Sequence, residues 1–143
     1  MNIAIGADHR GFTLKQAIIK HFKDHTFDDK GAHSVERSDY PAYAAAVTQE
    51  VAQKRAHAGI LLCGSGIGMS IAANRIKGIY AGLCWSPAIA TVAKENDGIN
   101  VLVLPANFLT TEEAFSIIDA WLGARFKGGR HQERLSALDV LNN

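Results

Sequence analysis

One stretch constrains this chain more than any other: Ile60-Leu61-Leu62-Cys63-Gly64-Ser65-Gly66-Ile67-Gly68-Met69-Ser70. A short apolar run of strand length stops at a cysteine, glycine then recurs at alternate positions, and an alanine-rich helical segment follows. That order reads as a strand, an anion cradle and a helix start. Glycines let the backbone approach a ligand closely. The unpaired N–H groups and positive end of the following helix favour a phosphate or a developing oxyanion. Cys63 stands at the lip of this cradle.

The rest of the chain repeats the same strand, loop and helix pattern, without a long linker or a low-complexity segment. Strands are expected over Ile3 to Gly6, Phe27 to Asp29, Gly59 to Cys63, Ile79 to Cys84 and Asn100 to Leu104. Leu14, Ala17, Ile18 and Phe22 recur at helical spacing, and Asp39 with Pro41 suits the start of a helix whose buried face is Tyr43, Val47 and Val51. A helix is expected over Ile67 to Arg75, and Ser86-Pro87 reads as an N-cap followed by proline at the first helical position. Thr110 and Glu113 have capping-box spacing for a helix to Leu122, and the Gly128-Gly129 break precedes a last helix from about Gln132. Such alternation implies an α/β fold with a five-stranded parallel sheet covered on both faces. A length of 143 residues suits one domain over 1–143.

Charge and composition narrow the partner. With 15 basic against 14 acidic residues and no basic stripe, the chain lacks the footprint of a nucleic-acid or membrane-surface protein. No apolar run approaches a membrane span and the chain opens on a strand-like Ile3-Ala4-Ile5, so a cytoplasmic location is the expectation. Cys63 and Cys84 each end an apolar run and read as buried or site thiols in a reducing compartment. They show no metal-ligand spacing with the six histidines. A small molecule is the expected partner.

In parallel α/β sheets ligands bind beyond the carboxyl ends of the strands. Four such ends are chemically loaded: Asp8-His9-Arg10-Gly11, the Cys63 loop, Cys84-Trp85-Ser86-Pro87 and Pro105-Ala106-Asn107. Cys63 is either a thiolate base or nucleophile favoured by the neighbouring N–H groups, or a small buried hydrophobe. Ser65 either orients a substrate hydroxyl or caps the helix. Asp8 and His9 either bind sugar hydroxyls and an anion or form a turn in which Asp8 caps the next helix. Arg130, His131 and Arg134 lie within about one helical turn, as a phosphate clamp or a solvated helix end. Glu95, Asn96 and Asp97 read as solvent-facing residues at a helix end, Cys84 as a core residue, and Trp85 and Trp121 as packing residues.

Several motifs together resemble one family. They are Gly6-Ala7-Asp8-His9-Arg10-Gly11-Phe12, Ser38-Asp39-Tyr40-Pro41, Cys63-Gly64-Ser65-Gly66-Ile67-Gly68 with Ser70-Ile71-Ala72-Ala73-Asn74, Asn100-Val101-Leu102, and Asp119-Ala120-Trp121-Leu122-Gly123 followed by Gly128-Gly129-Arg130-His131-Gln132-Glu133-Arg134. In order and spacing they are similar to the ribose-5-phosphate isomerase B family, which includes galactose-6-phosphate isomerase subunits, nearly end to end.

The resemblance implies a Rossmann-like three-layer α/β/α sandwich that forms a homodimer or tetramer with shared active sites and its C-terminal helix in dimer contacts. It implies no metal and no organic cofactor. The implied reaction is aldose–ketose isomerisation of a sugar phosphate through an enediolate. Cys63 matches the base, Ser65 the hydroxyl beside it, and the N–H groups of Gly64, Gly66, Ile67 and Gly68 the enediolate cradle. Asp8, His9 and Asn96 match ligand-binding positions, Arg130 and Arg134 the phosphate clamp, and Tyr43 a further pocket residue.

Two positions depart from the family. Glu95 stands where a histidine helps to open the sugar ring, and Asn107 where an arginine helps to bind phosphate. Losing one charge-assisted phosphate contact costs roughly 1.5–3 kcal/mol, which Arg130 and Arg134 partly absorb. Losing an acid–base group costs roughly 10²–10⁴-fold in rate unless Glu95 takes over the transfer. Two rival expectations follow: a subunit of a hetero-oligomeric galactose-6-phosphate type isomerase, or a catalytically silent module that keeps the phosphate pocket.

Overall fold

Strands β1 (Asn2–Ala7), β2 (Thr26–Asp29), β3 (Ala58–Cys63), β4 (Ala81–Leu83) and β5 (Val101–Pro105) form one parallel sheet in the order β2-β1-β3-β5-β4. The computed structural model describes residues 1–141. The chain turns to one side of β1 to lay down β2 and then crosses to the other side for β3. The loops leaving β1 and β3 therefore part at a topological switch point, the place where open α/β sheets bind ligands.

Alternation along each strand divides the core in two. Ile3, Ile5, Ile60, Leu62, Leu102 and Leu104 face α1 (Phe12–His21), α4 (Pro87–Asp97) and α5 (Thr111–Gly123). Ala4, Leu61, Cys63, Val101 and Val103 face α2 (Tyr40–Ala52) and α3 (Ile67–Ala73). Both faces of the central strands are apolar because both are covered. Each large aliphatic side chain so buried contributes roughly 1.5–3 kcal/mol. A last helix, α6 (Arg130–Val140), packs on α4.

Local chemistry explains the element ends. Ser86 Oγ accepts the Ile89 N–H at 3.3 Å and starts α4. Thr110 and Glu113 form the expected capping box, with bonds of 3.1 and 3.0 Å.

β4 is shorter than its apolar run implies. Asn100 Oδ1 accepts the Tyr80 N–H at 2.9 Å, and Asn74 takes both backbone groups of Ala81, at 2.8 and 2.9 Å. Those side chains engage the backbone at the start of the run, so Ile79 and Tyr80 lie outside the strand. α3 stops at Ala73, and α6 begins at Arg130 rather than Gln132 because Gly128 and Gly129 turn the chain with φ of +65° and +57° directly before it. Trp121 is buried as expected, but Trp85 is 58% exposed and packs no core.

The fully buried Lys15 on α1 reaches the carboxylate of Asp29 at the end of β2, at 2.6 and 2.8 Å. Asp29 also accepts the Gly31 N–H at 2.9 Å, which anchors the loop leading from β2 toward the site.

Candidate active site

Three turns meet beyond the carboxyl ends of β1, β3 and β5. After β1, Asp8 Oδ1 accepts the N–H groups of Arg10 at 2.9 Å and Gly11 at 3.3 Å, closing a tight Asx-type turn. The Asp8 N–H donates to the Leu62 carbonyl at 3.2 Å and fastens this turn to the end of β3. After β5 a short 3₁₀ turn (Ala106–Phe108) follows, and the Asn107 N–H donates to the Gly64 carbonyl at 3.0 Å. The cysteine–glycine loop is thus held from both flanking strands.

Within that loop the glycines are required by their surroundings. Gly66 is the N-cap of α3 at φ +75°, and a methyl there would lie 2.4 Å from Leu83 Cδ1. A methyl on Gly68 would lie 2.6 Å from Cζ of Tyr40, whose ring lies across this glycine. Ser65 Oγ accepts the Ile67 N–H at 3.2 Å and so braces its own turn. α3 has only seven residues, so the anion preference here rests on the loop N–H groups more than on a helix dipole.

These turns enclose a cavity of about 390 Å³, lined by Asp8, Arg10, Tyr40, Cys63, Gly64, Ser65, Gly68, Asn107 and Phe108. The Cys63 side chain belongs to the core under α2 and α3 and is 5% exposed. Cys84 differs: it is sealed in the opposite core layer, and burial pushes its thiol up to about 11. His9 sits at the side, its Nδ1 3.2 Å from both the amide and the carbonyl of Ser38. The Ser38 backbone occupies Nδ1, leaving Nε2 as the ring nitrogen for a ligand.

The structure separates the remaining expected residues from this cavity. α4 starts at the carboxyl end of β4 and runs back, so Glu95 and Asn96 in its last turn lie at the amino ends of the strands. The six residues of β3 set the two ends about 20 Å apart. Glu95 holds the segment after α5 at that far end: its carbonyl accepts the Lys127 N–H at 2.9 Å and its Oε2 lies 3.6 Å from Lys127 Nζ. Arg130 follows three residues later. Leu135 packs at Gly98, and Asp139 accepts the Tyr80 hydroxyl at 2.6 Å, so α6 with Arg130 and Arg134 stays at the amino end.

Tyr43 is also outside the cavity. It packs against Gly31, where a methyl would lie 2.9 Å from its Cε1. Tyr40, Arg10 and Phe108 line the cavity without having been singled out by the sequence. For Tyr40 a signal existed: Pro41 fixes a helix start, and in a parallel α/β fold the first residue of a helix sits at the ligand-binding end.

The cavity brings together a buried thiol, the backbone of Gly64, Ser65 and Gly68, a carboxylate, a phenol and a guanidinium, and the His9 imidazole, between Asp8 and Arg10 in the chain, is outside its lining. That set can move a proton next to a carbonyl and hold the negative charge that develops on oxygen. The far end gathers Asn96, the Glu95–Lys127 pair and two arginines. Among the described residues no three His, Cys, Asp or Glu side chains come together as a metal-holding group, and no helix is long and apolar enough to cross a membrane.

Comparison with known proteins accords with this geometry. Residues 3–138 match the ribose/galactose isomerase family. Over 141 residues, 97% of the chain and 95% of the relative, the sequence is 44% identical to ribose-5-phosphate isomerase B of Escherichia coli. A crystal structure of a ribose 5-phosphate isomerase from Thermotoga maritima superposes with a TM-score of 0.96 at 44% identity, covering 97% of each chain. The ribose-5-phosphate isomerase B of Mycoplasma genitalium, solved with bound ribulose-5-phosphate, gives a TM-score of 0.93 at 39% identity, covering 98% of this chain and 95% of that one.

Proposed function

The chain belongs to the ribose/galactose isomerase family, and on that premise we propose that it interconverts ribose 5-phosphate and ribulose 5-phosphate with Cys63 as the base. Aldose–ketose isomerisation of a sugar phosphate is the activity carried by its relatives. The observation that carries the reading is the cavity itself, in which a buried thiol stands beside the Gly64, Ser65 and Gly68 backbone at the switch point of a fold shared with a ribulose-5-phosphate-bound relative.

Once the sugar is open, the Cys63 thiolate takes the proton from C2 of the aldose. The electrons move to the carbonyl oxygen at C1, giving an enediolate whose charge the loop N–H groups stabilise. The O2 hydroxyl proton passes to O1, the enediolate electrons form the C2 carbonyl and take the proton back from the Cys63 thiol at C1, and the ketose forms. Asp8 and the His9 Nε2 hold sugar hydroxyls, Ser65 orients one of them, and the Tyr40 ring bounds the cavity over Gly68.

Glu95, Asn96, Arg130 and Arg134 act from a second copy of the chain. Nothing in one copy brings them to Cys63, and the carboxyl side of the sheet presents exposed Ile67, Ile71, Trp85 and Phe108 for a partner to cover. Arg130 and Arg134 of that copy clamp the phosphate, and Glu95 occupies the ring-opening position. A cytoplasmic setting, where thiols stay reduced, suits a reaction that needs Cys63 unoxidised.

The test is an isomerase assay of the purified homomer over five- and six-carbon aldose and ketose phosphates, beside Glu95→His. Turnover of ribose 5-phosphate by the native homomer is expected and excludes a need for a different partner chain. A gain on Glu95→His would show that ring opening limits the native enzyme. Binding of the sugar phosphate without turnover of any panel member, with Cys63 reduced, would sink the reading in favour of a silent binding module.

A further inference from the structure

Above Gly64, donors from two neighbouring strands converge. A methyl placed on this glycine would lie 2.8 Å from Asn107 Nδ2, 2.9 Å from Arg10 Cδ and 3.4 Å from Arg10 Nη1. Arg10 belongs to the turn after β1 and Asn107 to the turn after β5, and these strands flank β3 on either side. The guanidinium and the amide therefore reach one point from opposite flanks of the cysteine–glycine loop.

Neither group is engaged elsewhere. Among the described residues the side chains of Arg10 and Asn107 have no hydrogen-bond or ion-pair partner. The nearest carboxylate of the cavity, Asp8, spends its Oδ1 on the backbone N–H groups of Arg10 and Gly11. A solvated arginine has no need to lie along a glycine, and one carrying a longer residue at 64 would have to move. Arg10 is also the one Lys or Arg side chain lining the cavity.

We propose that Arg10 and Asn107 form a donor pair that binds the substrate's phosphate over Gly64, with Arg10 supplying the charge. The proposal rests on the isomerase reading for the identity of the substrate, but the site is argued from this chain's own donors. It makes the phosphate a shared ligand, held by Arg10 and Asn107 of the copy that contributes Cys63 and by Arg130 and Arg134 of the other. An arginine offers a planar fork for two phosphate oxygens, and the neutral amide adds an N–H donor beside it.

The test compares Arg10→Ala, Arg10→Lys and the double variant Arg10→Ala with Asn107→Arg. Steady-state kinetics on ribose 5-phosphate are run beside calorimetric titration with inorganic phosphate, and circular dichroism verifies that each variant folds. Arg10→Ala is expected to raise KM roughly 10- to 100-fold, the range for one lost charge-assisted contact. Its kcat should fall by less than about threefold, because the contact is the same in ground and transition states. Phosphate affinity should weaken in parallel, Arg10→Lys should fall between, and the double variant should recover most of the loss. A KM and phosphate affinity unchanged in Arg10→Ala would overturn the proposal, as would a native chain that binds no phosphate. A fall in kcat at constant KM would overturn it too, since the arginine would then act on the reacting atoms. If the native chain isomerises nothing, the isomerase reading fails, while the phosphate titration still decides the role of Arg10.

Discussion

At the carboxyl ends of β1, β3 and β5 every chemical group except the Tyr40 phenol stands within a few residues of a strand, whereas at the amino ends the groups hang from helix ends and from a segment that follows two glycines. The first set is cross-braced by backbone bonds from Asp8 to Leu62 and from Asn107 to Gly64, at 3.2 and 3.0 Å. The second is tied mainly by Lys127 to Glu95 and by Tyr80 to Asp139, at 2.9 and 2.6 Å. Proton transfer needs atoms held to a fraction of an ångström, and a braced strand end supplies that. Binding a phosphate tolerates looser charges on longer side chains. On the proposed function, the division of labour between the two ends follows from how each is built, and a site that needs both requires a second copy.

The largest effect expected is from Cys63→Ala. Loss of the base should lower kcat by roughly 10²–10⁴-fold or more while calorimetry still detects sugar-phosphate binding. Full turnover by this variant would remove Cys63 from the mechanism. Arg130→Ala combined with Arg134→Ala should also be nearly silent alone, through loss of phosphate binding. Mixing the two inactive proteins under conditions that allow subunits to exchange should restore activity, because a mixed dimer holds one site with both an intact thiol and intact arginines. No recovery after verified exchange would break the idea that the two ends meet across copies.

Glycines sharpen the comparison next. Gly66 and Gly128 both have positive φ, +75° and +65°, but a methyl on Gly66 would strike Leu83 at 2.4 Å whereas nothing lies within 4 Å of one on Gly128. Gly66→Ala should therefore destabilise by about 2–4 kcal/mol, the left-handed cost plus overpacking. Gly128→Ala should cost only about 1–2 kcal/mol, the backbone part alone. Urea unfolding of the two variants measures the gap. Equal losses would show that the loop beneath Cys63 is no tighter than the amino end.

Most of the carboxyl end was legible in the sequence because its signals are local. An apolar run broken by Cys63 and alternating glycines specifies strand, turn and helix start together, and the capping box at Thr110 and Glu113 is equally self-contained. The amino-end placement of Glu95, Asn96, Arg130 and Arg134 was hidden, since it depends on which way α4 runs and where the chain after α5 docks. Periodicity places Tyr43 on the packed face of α2, where its ring meets Gly31, and only the family resemblance made it a pocket residue. Tyr40 keeps that period, seven residues before Val47, but as the first residue of the helix it stands at the ligand-binding end, where its ring lies across Gly68. β4 was overextended because the side chains of Asn74 and Asn100 compete for the backbone at one end of an apolar run, an effect that hydropathy does not carry.

The smallest effect tests how firmly the amino end holds its arginines. The Tyr80 hydroxyl donates to Asp139 on α6, and this bond, with burial second, pushes its pKa up to about 12. A raised pKa means that the folded state favours the protonated phenol. The bond's stabilisation is therefore fully present below the ordinary tyrosine value of about 10 and is lost as pH climbs from there to about 12. Tyr80→Phe should lower stability by roughly 0.5–1.5 kcal/mol at neutral pH. The difference from the native chain should close as the pH passes from 10 toward 12, and KM for the sugar phosphate should rise modestly as α6 loosens. A stability gap that stays constant across that range would assign Tyr80 to packing alone and leave α6 held by its apolar contacts with α4.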